Sequence, residues 1–116
     1  VRDGAIGEPR LLTADFGFRK PFDPAHRLFD PALGGGALLD IGVYMVSLAS
    51  MLFGPPADIR SLATLTPTGV DEAAALLFGF GDGRMAQLSA TISAATPQEA
   101  TVVGEAGWIR LHPLWW

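Results

Sequence analysis

The chain has 116 residues, 49% hydrophobic and 17% charged, with a formal net charge of −4, a sequence pI near 4.9 and no cysteine. That length suits one globular domain with a sizeable core, and without cysteine there is neither a disulfide framework nor a thiolate metal site. The acidic balance and the unclustered basic residues exclude a phosphate-backbone footprint, so no nucleic-acid partner is expected.

Val1-Arg2-Asp3-Gly4 carries neither an initiator Met nor a signal-peptide pattern. From Pro9 to Arg19, Leu12, Ala14, Phe16 and Phe18 alternate with Leu11, Thr13, Asp15, Gly17 and Arg19, the period of a strand with one face in a core. Lys20 to Ala32 repeats a Phe-Asp-Pro-Ala unit at Phe22 and again at Phe29, and each Asp-Pro favours an extended or turn conformation. This reads as a long structured loop that also holds His26 and Arg27. Gly34, Gly35 and Gly36 then open a helix that Gly54, Pro55 and Pro56 close. The helix is apolar on nearly every side, so it is expected to be covered by protein from more than one direction. Asp40 and Ser47 interrupt its apolar run, which falls short of the roughly 18 residues of a membrane span. No membrane partner is expected, and the expected location is cytoplasmic.

Strands follow: Ile59 to Thr66, Ala73 to Phe80, Arg84 to Ser93 after the turn Gly81-Asp82-Gly83, then Glu99 to Val103 and Trp108 to His112 joined by Gly104-Glu105-Ala106-Gly107. The fold class expected is α+β, a mainly antiparallel open sheet with a buried helix on one face. The other face, with Gln87, Ser89 and Thr91, is left to solvent or to a second copy of the chain. Trp115-Trp116 ends the chain without a terminal element, and both ends are expected to be cut from a longer protein.

The candidate chemistry sits at the helix start. Asp40 and Tyr44 are four residues apart, share a helical face, and can meet one ligand, with Gly36 before them. The competing reading makes Asp40 a cap and Tyr44 a packed ring with one hydroxyl partner. Mid-helix Gly42 costs about 1 kcal/mol relative to Ala, which suggests that another backbone or a flat ligand approaches there. The triple glycine is a weak phosphate cradle, lacking the G-x-G-x-x-G spacing and a β-α-β context. His26 and His112 have no companions at metal-ligand spacing, so no metal is expected. Arg27 precedes the glycines, where its guanidinium can bind substrate or pair with Asp23 or Asp30.

The segments Ile6-Gly7-Glu8-Pro9-Arg10, Arg27-Leu28-Phe29-Asp30-Pro31, Gly34 through Tyr44, and Gly104-Glu105-Ala106-Gly107 together resemble the C-terminal domain of the Gfo/Idh/MocA oxidoreductases, in their dihydrodiol dehydrogenase and glucose-fructose oxidoreductase branch. The resemblance implies a two-domain parent that binds NAD or NADP in an N-terminal Rossmann domain absent from this chain. It implies a sugar, cyclitol or cyclic-diol substrate, with Asp40 and Tyr44 catalytic and Arg27, Phe29 and Gly36 binding substrate. It also implies a homodimer formed through the open sheet face. The family's Glu-Lys-Pro motif and cofactor fingerprint are missing here, so the chain alone is expected to be inactive and to hold no dinucleotide tightly. A non-catalytic regulator on the same scaffold and a bare dimerisation module are the alternative readings.

Overall fold

The computed structural model describes residues 4–113. Strand alternation sets the architecture: β1 (Pro9–Gly17) turns Leu12, Ala14 and Phe16 inward, and β4 (Met85–Thr91) does the same with Ala86, Leu88 and Ala90. With β2 (Asp58–Leu65), β3 (Asp71–Gly79), β5 (Ala100–Gly104) and β6 (Trp108–Leu111) they form one sheet in the order β2-β3-β4-β1-β5-β6. β1 and β4 pair in parallel, Leu12 opposite Ala86 and Ala14 opposite Leu88; every other pairing is antiparallel. The expected α+β class with a mainly antiparallel open sheet is what the chain adopts.

One helical layer covers one sheet face, which accounts for the short molecular dimension of 18 Å. It begins as a π-helical segment, Leu38–Gly42, and continues as α1, Val43–Phe53. Ile41, Met45 and Ala49 are buried on the sheet, a spacing of four residues that keeps one stripe inward. By length and composition alone the run Pro31–Phe53 reaches the dimensions of a membrane span despite Asp40 and Ser47. Its inward stripe on the sheet accounts for part of that apolarity.

The helix is covered only from the sheet side within the described residues, contrary to the expectation of cover from several directions. Leu39, Val43 and Met51 face outward, Met51 being 76% exposed. The open sheet face is also more apolar than Gln87 and Ser89 suggested. Register places Met85 opposite Leu11, Gln87 opposite Leu77 and Leu62 opposite Ala75 on that face. Leu62, Leu77, Met85 and Trp108 are all large and exposed there.

Candidate active site

The loop between β1 and the helix folds by satisfying its own backbone. Asp23 accepts from the Ala25 amide, and Asp30 from the Ala32 amide, each at 2.9 Å. His26 Nδ1 accepts from the Leu28 amide at 3.1 Å. These side chains fix two short 3-10 turns, Arg27–Phe29 and Pro31–Leu33. Arg27 pairs with neither of these loop carboxylates. Its Nη1 lies 3.0 Å from Asp40 Oδ1, joining two residues singled out separately in the sequence.

The glycines are not a phosphate cradle. The Gly35 amide donates to Asp30 O at 3.0 Å and the Gly36 amide to Leu28 O at 2.7 Å. Both residues are buried. The Leu38 amide donates to Asp71 Oδ2 at 2.6 Å. The anion at the helix start is thus Asp71, reached from β3, and the capping role considered for Asp40 belongs to this residue. A Cβ on Gly42 would lie 2.9 Å from Leu38 Cδ1, the end of a flexible side chain, and at ordinary contact distance, 3.7 Å, from Ala37 O and Ala90 Cβ.

Asp40 lies in the π segment, where the Val43 amide bonds back to Leu38 O across five residues. Such an inserted residue widens one helical turn and is frequent at functional sites. One Asp40 oxygen is held by Arg27; the other has no hydrogen-bond partner among the described residues. Tyr44, 44% exposed, stacks on Phe16 with ring centroids 6.0 Å apart and planes at 23°. Its hydroxyl carries no hydrogen bond from another described residue. The Arg27–Asp40 pair thus lies at the π segment, and the Tyr44 ring, stacked on Phe16 of β1, follows it in the first turn of α1. Phe29 lies deeper, 2% exposed, and meets Phe22 edge-on at 5.0 Å. Its ring supports the loop, and it also lines a cavity of about 220 Å³ with Arg19, Lys20, Phe22 and Glu72.

Sequence reasoning missed Asp71 and Phe16. Asp71 sits in an ordinary strand start, and its partner is 33 positions away, so no local pattern marks it. Phe16 read as one more inward residue of an alternating strand. Among the described residues, no three His, Asp or Glu side chains gather to hold a metal ion.

This arrangement is a helical layer laid on one face of an open six-stranded sheet. The family model of the GFO/IDH/MocA C-terminal domain matches residues 1–110, and the chain belongs to that family. It is 38% identical over 118 residues to trans-1,2-dihydrobenzene-1,2-diol dehydrogenase of Danio rerio, a match covering 100% of this chain and 35% of the relative. To the same-named protein of Xenopus laevis it is 37% identical over 114 residues, covering 97% and 34%. Among solved structures it resembles an aldose-aldose oxidoreductase from Caulobacter crescentus complexed with glycerol, at TM-score 0.85 and 29% identity, covering 97% of this chain and 35% of that one. A 3-ketoreductase from Actinomadura kijaniata in complex with NADP and TDP-benzene matches at TM-score 0.77 and 28% identity, covering 96% and 34%. The chain spans about a third of the length of the relatives it matches.

Proposed function

We propose that this chain is the substrate-binding and oligomerisation part of an NAD(P)-dependent oxidoreductase that acts on a hydroxyl-bearing ring: a sugar, a cyclitol or a cyclic diol. The observation that carries this reading is the set of polar groups at the helix start. There, among the described residues, one Asp40 oxygen has no hydrogen-bond partner, Arg27 clasps the other, and the Tyr44 phenol stands exposed on the Phe16 ring.

A dinucleotide, when bound, supplies the hydride acceptor or donor at its nicotinamide C4. The described residues fit the substrate side of that reaction: a carboxylate and a phenol for hydroxyl groups, with the glycine-loop amides already spent within the protein. Asp40 accepts a hydrogen bond from a substrate hydroxyl and so fixes which carbon faces the cofactor. Arg27 has five N–H donors and gives one to Asp40; the others reach ring oxygens. Tyr44 holds or moves the proton of the reacting hydroxyl. In this role the rest of the parent supplies the partner that takes the proton onward. The Tyr44 ring, backed by the buried Phe16 ring, offers an apolar face to the carbon side of the ring substrate.

The parent in this reading is a homodimer through the open sheet face, and the isolated chain neither turns over nor binds dinucleotide tightly. The test is made in the full-length parent. Asp40→Asn and Tyr44→Phe are each expected to lower kcat by about tenfold or more, about 1.4 kcal/mol of transition-state stabilisation. Cofactor Kd should stay within about twofold in both, since neither residue is asked to bind the dinucleotide. Wild-type turnover in both variants would leave the pair structural.

A further inference from the structure

The helix start is held from two sides. On the inner side Asp71, the first residue of β3, sends its carboxylate to the Leu38 amide at 2.6 Å through Oδ2. Its Oδ1 fills the space that a Cβ on residue 36 would occupy. Gly36 has φ of 107°, a region that L side chains rarely adopt. Glycine is therefore required at this position twice, by its backbone and by the carboxylate seated against it. The bond is charge-assisted, and it satisfies one of the amides that a helix start leaves without an internal partner. On the outer side, Arg27 holds Asp40 itself at 3.0 Å.

Asp71 is in turn well anchored. The β2–β3 register shifts between Thr64 and Leu65, which brings Leu65 opposite Asp71. Just before it, the buried Thr66 donates its amide to Val70 O at 2.8 Å and its hydroxyl to the same oxygen at 3.2 Å. The end of the hairpin is thus a fixed point. What it grips is the first residue of the π segment that carries Asp40. The π segment is bonded i→i+5, so its side chains leave the four-residue line of the α-helix that follows, and the Asp71 bond falls on its first residue.

We propose that Asp71 is a positioning residue for the active site: by holding the Leu38 amide in the gap left by Gly36, it fixes the π turn and hence the direction in which Asp40 presents its carboxylate. This role deepens the proposed oxidoreductase activity and rests on it. Asp71 touches no substrate in this scheme and acts only through Asp40.

The experiment uses the full-length parent, with kcat expressed per folded molecule and Asp40→Asn measured alongside. Asp71→Ala is expected to lower kcat by about tenfold, leave dinucleotide Kd within about twofold, and speed hydrogen exchange of the amides of residues 38–42 by about tenfold. Asp71→Asn keeps the shape and an acceptor oxygen, and should recover kcat to within about threefold of wild type. Unchanged kcat in Asp71→Ala overturns the proposal, as does a loss that Asn does not recover. A large loss in Asp40→Asn with none in Asp71→Ala sinks the positioning role alone. No loss in either sinks the active-site reading and this role with it. If the Ala variant does not fold, Asp71→Glu replaces it, keeping the charge but one methylene too long for the gap. Wild-type kcat and exchange in that variant would likewise overturn the proposal.

Discussion

Arg27 and Asp40 make an ion pair whose partners differ in exposure, the guanidinium side chain at 61% and the carboxylate at 22%. An exposed pair of this kind contributes at most about 1 kcal/mol to stability. Its value lies in orientation and in charge at the site. Arg27→Gln is therefore expected to leave unfolding free energy within about 1 kcal/mol of wild type while raising the KM for a polyol or sugar by about threefold to tenfold. Steady-state kinetics beside a urea melt would check both halves. At this scale the sequence was informative where a residue acts through its neighbours on the same helix. The four-residue spacing of Asp40 and Tyr44 was legible in the sequence; that the turn carrying Asp40 is π and not α was not. Partners contributed by other elements were not. Asp23 and Asp30 were the obvious acceptors for Arg27 by proximity in sequence, and both turned out to be engaged with the amides of their own loop.

The helical layer shows how a glycine's meaning depends on what lies against it. A Cβ on Gly35 would fall on the carbonyl oxygens of Leu28 and Arg27, which are backbone and cannot swing aside. A Cβ on Gly81, in the β3–β4 turn, would meet nothing within 4 Å. Gly35→Ala should thus cost about 1 to 3 kcal/mol, whereas Gly81→Ala should stay within about 0.5 kcal/mol. Equal midpoints in chemical denaturation would show that the loop gives way freely. Strand positions were readable from alternation, with ends differing by one or two residues, because a half-buried strand writes its burial into every second side chain. The π turn was not readable. It occurs where the Leu38 amide is bonded to Asp71 of β3, a partner 33 positions away.

The open face is the feature of the whole molecule with the clearest consequence for assembly. Leu62 and Leu77, 79% and 51% exposed, lie on the edge strand β2 and on its neighbour β3, on the sheet face opposite the helix. In the proposed homodimer this surface is buried against its own copy. Leu77→Glu in the parent is expected to weaken dimerisation by about a hundredfold or more, because it buries an unpaired charge in each half of the interface. Sedimentation velocity would check this, with circular dichroism to confirm the fold. A dimer of undiminished stability would remove this face from the interface.

The sequence by itself determined the strands, the inward faces of β1 and β4, the four-residue spacing of Asp40 and Tyr44, and enough of the glycine block to show the family. All of these rest on patterns within a few residues of one another, where covalent spacing and helix or strand period dictate geometry. Only the tertiary structure decided that β1 lies parallel beside β4, that Phe16 floors the Tyr44 ring, and that Asp71 reaches into the gap of Gly36. These contacts join residues far apart in the chain. They are selected by how the whole sheet and its covering helix bury apolar surface together, a sum over the core that no local stretch of sequence records.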